Sequence, residues 1–320
     1  MKTNGLSYID LFAGAGGLSE GFMQSGYESI AHVEMNAYAA KTIETRIAYF
    51  YLKEKMQLEK YYQYERGEIS RDELLALIPT DELKAVINEE MSPKTIKGIF
   101  ERIDTIMNEK EISQVDVIIG GPPCQAYSLV GRAQSSHMEI PMEEDPRNEL
   151  YKLYGRFLKR YQPKMFVFEN VMGIASANGG KTWKNIQKYF RSIGYEIKAK
   201  EQNSRFFGVL QNRKRMIIVG WLKGTVFHYP ELENVTVNAV VNDLLEDLPK
   251  LCPGESNDEY STSEFSDYLR KTGIRTERDV LTHHCSRPNK ERDITIYRKV
   301  IELWNGGHKR LNYNDLPEEL

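Results

Sequence analysis

The 320-residue chain has little cysteine: Cys124, Cys252 and Cys285 are all there is. An odd count without C-x-x-C spacing argues against both a disulfide framework and a zinc site. None of the six histidines forms a ligand cluster with Cys124. No apolar run approaches the ~20 residues that span a bilayer. The start, MKTNGLSYID, lacks the charged head and apolar stretch of a secretory signal. These absences point to a cytosolic protein with no membrane partner. No repeat or low-complexity tract is present. Neither charge dominates: 43 cations stand against 46 acids, a net charge of −3. That balance argues against a dedicated nucleic-acid coat, but it leaves room for a local basic patch.

What is there reads as an α/β chain. Residues 7–12 (SYIDLF) form a strand, 13–17 (AGAGG) a glycine turn, 18–25 a helix and 29–34 (SIAHVE) a second strand ending in Glu34. This is the βαβ opening of a mostly parallel sheet flanked by helices. Residues 37–110 carry alternating charges and tyrosines at helical spacing, which predicts two or three amphipathic helices, with a helical insertion over about 37–100. Strands follow at 115–120, 164–168, 195–200 and 215–221, with helices at about 148–161 and 182–193 between them. Residues 129–147 read as a long loop. The organisation expected is a catalytic domain over 1–225 and a mixed, loop-rich region over 226–320, with one helix near 290–304.

Four stretches carry chemistry. In DLFAGAGGLSEGF (10–22), glycines behind a first strand let the backbone turn tightly against a ligand at a helix N-terminus. The spacing is not G-x-G-x-x-G, and no GKS or GKT follows, so a P-loop is excluded. Glu34 stands seventeen residues after Gly17, where an acid bonds ribose hydroxyls. Together these favour a nucleoside-containing cofactor. In VIIGGPPCQAYS (117–128), Cys124 lies just past a strand's carboxyl end, behind two prolines that stiffen its approach. A thiol so presented suits a nucleophile, although a lone cysteine is more often a packed core residue. In FVFENV (166–171), Glu169 follows an apolar strand to the same sheet edge; the alternatives are a proton-donating carboxyl and a capping acid. In QNRKR (211–215), strand alternation would put Arg213 and Arg215 on one side, where two guanidiniums suit an anion or a polarised carbonyl.

These four stretches, in this order, resemble the C5-cytosine DNA methyltransferase family over roughly residues 7–221. GPPCQAYS is close to that family's nucleophile loop, ENV to its glutamate motif and QNRKR to its Gln-x-Arg-x-Arg motif. The resemblance implies a Rossmann-like, S-adenosylmethionine-dependent methyltransferase fold, a double-stranded DNA substrate and a restriction–modification setting in a bacterial cytosol. It makes Cys124 the nucleophile at C6 of a flipped cytosine, Glu169 the group on the N3 edge and Arg215 the holder of O2, with Arg213 supporting. Phe12, Gly14, Gly16, Gly17 and Leu18 would surround the methionine end of the cofactor and Glu34 its ribose. Pro122 would line the pocket. Asp104, twenty residues before Cys124, would meet the adenine amino group. Loop 129–147 would be a lid, and His283, His284 and Cys285 structural. The family continues past DLPEEL into a target-recognition region and a Gly-Asn motif, so the resemblance also implies a shortened chain or a second polypeptide. On that view this chain alone binds DNA poorly. An RNA-directed relative and a catalytically silent partner remain as alternative readings.

Overall fold

The computed structural model describes residues 5–123 and 150–317. Within them the chain divides into two compact units, residues 1–238 and 239–320.

The first unit is built on one seven-stranded sheet of order β3-β2-β1-β4-β5-β7-β6. Its strands are β1 (Ser7–Leu11), β2 (Glu28–Glu34), β3 (Val86–Asn88), β4 (Val117–Gly120), β5 (Met165–Asn170), β6 (Tyr195–Asn203) and β7 (Lys214–Leu222). The first five run parallel, and β7 is antiparallel to both β5 and β6. Strand alternation sorts the side chains onto two faces. Ile9, Leu11, Ile118, Phe166 and Phe168 join one apolar core, whereas Tyr8, Val117 and Ile119 join another.

Helices α1 (Gly17–Gln24), α2 (Ala37–Glu54), α3 (Leu58–Glu65), α4 (Arg71–Ala76) and α5 (Thr80–Leu83) follow β1 and β2. Helices α6 (Ile96–Glu109), α7 (Leu150–Tyr161) and α8 (Lys181–Ser192) cover the larger core. In α6 the isoleucines at 96, 99, 103 and 106 fall on one buried stripe. Each is worth roughly 1.5–3 kcal/mol against exposure, enough to fix the helix on the sheet. Strands β1 and β4 come so close that a Cβ on Gly120 would lie 2.3 Å from the Leu11 carbonyl oxygen.

The stretch expected to be wholly helical holds a strand. β3 pairs in parallel with β2, Val86 with His32 and Asn88 with Glu34. Its three residues sit among alternating charges and are too few to show a period of two, so tertiary pairing overrides the local pattern.

The second unit contains α9 (Val241–Leu245), α10 (Asp267–Thr272) and α11 (Glu291–Asn305). Its anchor is Arg275, buried against Asp247, donating to the Thr262 carbonyl oxygen at 3.2 Å and stacked 3.5 Å from the Tyr260 ring centroid. His284 Nε2 lies 2.7 Å from the Pro249 carbonyl oxygen, and Cys252 and Cys285 are exposed free thiols. Among the described residues no helix is long and apolar enough to cross a membrane.

Candidate active site

β1 delivers the chain to the carboxyl edge of the sheet, where it turns through left-handed conformations at Phe12 (φ 59°), Gly14 (φ 56°) and Gly16 (φ 80°). Glycine takes that region without cost; Phe12 adopts it against its preference, and such strain concentrates at functional sites. Glu34 closes the turn from the neighbouring strand. Its two carboxylate oxygens accept from the Gly14 and Asn36 amides, each at 2.7 Å. The Ala13 amide donates to the Val33 carbonyl at 3.1 Å. Gly16 is the N-cap of α1 and no side chain caps that helix, so Gly17 and Leu18 open a helix N-terminus at the turn. Free amides at a helix start suit an anionic group. A carboxylate at the tip of β2 beside them suits a sugar hydroxyl. A nucleoside carrying an amino-acid tail fits this donor set.

Beneath the turn lies a buried polar network that the motif reading passed over. Asp10 and His32 face each other across β1 and β2, and Ser19 reaches down from α1. The Ser19 hydroxyl donates to Asp10 Oδ2 at 2.5 Å and lies 3.2 Å from His32 Nδ1. A hydroxyl has one proton, so with Asp10 ionised the imidazole contact has Nδ1 donating and leaves Nε2 bare, whereas a protonated Asp10 can donate to Ser19 and let the hydroxyl donate to Nδ1. His32 Nε2 and Asp10 Oδ1 are both buried without a partner. Burial pushes the Asp10 carboxyl up to about 7 and the His32 imidazole down to about 4. The signal was visible: SYIDLF and SIAHVE each carry one polar residue in the middle of an apolar strand.

Across the sheet, β5 ends at Glu169 and Asn170, and antiparallel β7 brings Arg215 alongside. Arg215 Nε lies 2.8 Å from Glu169 Oε1, with 25% and 29% of the two side chains exposed. The Glu169 carboxyl rests against the backbone of Gly121; a Cβ there would meet Oε2 at 2.8 Å. The Asn170 side-chain amide points at the Pro122 carbonyl at 3.4 Å, and Pro122 is buried. The chain leading to the candidate nucleophile is therefore held against the Glu169–Asn170 corner. Cys124 itself, and the expected lid over 129–147, lie outside the described residues.

The family model for C-5 cytosine-specific DNA methylases matches residues 6–76 and 90–314. The chain belongs to this family. The type II methyltransferase M.Bpa9945I of Bacillus paralicheniformis is 38% identical over 98% of this chain and 77% of its own length. M1.HphI of Haemophilus parahaemolyticus is 32% identical over 98% of this chain, which spans only 64% of that relative. A crystal structure described as a DNA modification methyltransferase encoded within an E. coli prophage superposes with a TM-score of 0.52 at 22% identity. It covers 83% of this chain and 63% of that one, and it speaks to the fold.

In this methylase chain two expected site residues stand apart from the rest. Asp104 is on α6, where its carboxylate pairs with Arg160 and accepts from the Tyr161 hydroxyl at 3.1 Å. Those partners end α7, which leads into the amino end of β5, whereas the glycine turn lies at the carboxyl ends of the strands. Sequence distance from Cys124 could not distinguish the two edges. Beside Glu34 the structure instead places Asn88 and Glu89. The Asn88 side chain donates to the Glu34 carbonyl at 2.8 Å, and the Glu89 amide donates to the same oxygen at 3.1 Å. Arg213 precedes β7, which begins at Lys214, so the alternation argument reaches Arg215 alone. The Arg213 side chain is exposed, and its carbonyl accepts from the Ser204 amide at 3.0 Å.

Proposed function

We propose that this chain transfers a methyl group from S-adenosylmethionine to C5 of a cytosine turned out of duplex DNA, within a restriction–modification system. The observation that carries the reading is the Glu169–Arg215 pair at the sheet's carboxyl edge, packed against the backbone three residues ahead of Cys124.

On this reading, Phe12, Gly14, Gly16, Gly17 and Leu18 surround the amino-acid end of the cofactor. Glu34 holds the ribose, Asn88 and Glu89 stand nearest the base, and Pro122 lines the pocket. When bound, S-adenosylmethionine supplies an electrophilic methyl on a sulfonium. The protein makes C5 able to receive it. The Cys124 thiolate adds to C6, forming a C–S bond, and the C5–C6 π electrons shift towards C5 as Glu169 bonds N3 and balances the charge there. Arg215 bonds the O2 edge, which increases the electrophilicity of the ring. After C5 is alkylated, its proton leaves to a base, the C5–C6 double bond reforms and the thiolate departs. Once that base passes the proton to solvent, every protein group is back in its starting state. Flipping is required because C6 is shielded within a stacked duplex.

The test is to incubate the full-length protein with methyl-labelled cofactor and either duplex DNA or transfer RNA, then digest to nucleosides. Label is expected in 5-methyldeoxycytidine from DNA. Label only in RNA, or on an exocyclic nitrogen, would overturn the reading.

A further inference from the structure

We infer that the outer face of α7 and α8 is a docking surface for the phosphate backbone of duplex DNA, apart from the edge where the base is methylated; the inference rests on DNA being the substrate. Each helix has twelve residues, and each carries four cations and no acid. Their apolar sides are committed to the core, through Tyr154, Phe157 and Leu158 on one and Ile186 and Phe190 on the other. The cations are thereby turned outward: Arg156, Lys159, Lys181, Lys184, Lys188 and Arg191 are all exposed.

The two helices form one surface. Gly155 lets α8 approach so closely that a Cβ there would lie 2.2 Å from the Tyr189 ring. The Tyr189 hydroxyl donates to the Lys152 carbonyl at 3.2 Å. The Lys159 ammonium lies 5.7 Å from the centre of that ring, so an aromatic plate sits among the charges. The layer on α1–α5 is built differently. There Arg46 pairs with Glu20, Arg71 with Glu44 and Arg66 with both Glu59 and Glu68. Arg160, at the end of α7, pairs with Asp104, but the outward cations named above leave a positive surface, which in a chain of net charge −3 selects a polyanion by complementarity. None of the large apolar side chains exposed on the described chain lies on these two helices. An anionic membrane would need such a wedge, whereas a phosphate backbone does not.

The experiment compares two triple charge reversals of equal net change. One is Arg156→Glu, Lys184→Glu and Lys188→Glu on this face; the other is Lys53→Glu on α2, Lys55→Glu at its C-cap and Lys60→Glu on α3. Binding to random-sequence duplex lacking cytosine is measured against salt. The first variant is expected to bind about tenfold or more weakly at low salt, with a slope of log K against log salt shallower by about two. The second should stay within about twofold of the parent. Equal losses in both variants, no loss in the first, or face-dependent binding to phosphatidylserine vesicles with none to DNA would overturn the inference. An unchanged melting temperature and unchanged S-adenosylhomocysteine binding verify folding. If the reversal does not fold, the corresponding Gln triple is read in its place, with about half the slope change. Because this duplex lacks cytosine, the result is independent of whether cytosine chemistry occurs.

Discussion

The two halves of the sheet handle polar groups in opposite ways. At β1 and β2 the functional edge is backed by polar side chains taken wholly out of water: Asp10 is 1% exposed and His32 0%. At β5 and β7 the polar pair is left about one-quarter open. Burying Asp10, Ser19 and His32 costs desolvation and fixes geometry, since each contact has few alternatives in a dry core. The result is a turn whose shape is set before any ligand arrives. Glu169 and Arg215 stay within reach of solvent, which on the proposed reading keeps their hydrogen-bonding capacity available to an incoming base. On the proposed reading the first half is a preformed cradle and the second a working surface, and one sheet can provide both because the carboxyl ends of β1, β2, β4 and β5 share one edge.

Substitutions should separate the halves. Glu169→Gln is expected to have the largest effect, lowering turnover by about 10²–10⁴-fold while cofactor affinity stays within about twofold. A matched loss of cofactor binding would mean the halves are not distinct. Glu34→Gln should do the reverse. Loss of charge-assisted bonds to two amides should weaken cofactor binding by about 10–100-fold, measured by calorimetry, with turnover at saturation largely retained.

The buried pair gives a pH test. Burial raises Asp10 from its ordinary 3.8 to about 7, so between those values the folded chain keeps a proton that the unfolded chain has released. That contribution to stability falls as pH rises through the window. Burial lowers His32 from 6.5 to about 4, so between those values the unfolded chain takes up a proton that the folded chain refuses. That contribution rises with pH, and in the parent the two oppose each other. Asp10→Asn should therefore become more stable from pH 4 towards 6.5, and His32→Gln less stable from pH 4 towards 7. Each slope should be no more than about 1.4 kcal/mol per pH unit in urea melts. Parallel curves for the two variants would show that the network does not titrate as its burial requires. Arg213→Ala should have the smallest effect, well below that of Arg215→Ala on turnover, because its side chain is exposed ahead of β7.

The edge was legible in the sequence because motif residues sit where strands end, and strand ends are marked by apolar runs breaking at glycine or acid. Glu34, at the tip of SIAHVE, and Glu169, directly after KMFVF, were both placed this way.

 The carboxylate on a β2 tip and the carboxylate on a β5 tip need only that rule. β3 escaped it because three residues cannot display a strand period, and Asp104 lies away from the glycine turn, with Arg160 and Tyr161, because spacing along a chain does not say which edge of the sheet a helix residue faces. Asp10 and His32 were visible as polar residues inside apolar strands, but their meeting with Ser19 depends on register between two strands and a helix, which no local pattern encodes. The basic face of α7 and α8 was hidden in a near-neutral total, since composition averages over surfaces that the fold keeps apart.

The central claim is that Cys124 forms a covalent bond with the cytosine ring. It is tested most directly by mixing the full-length protein with S-adenosylmethionine and duplex DNA containing 5-fluorocytosine, in which fluorine at C5 blocks the final elimination. The account predicts a denaturant-stable protein–DNA adduct that persists in Cys252→Ser and Cys285→Ser and disappears in Cys124→Ser. An adduct that survives Cys124→Ser, or none in the parent protein while it methylates ordinary DNA, would contradict it.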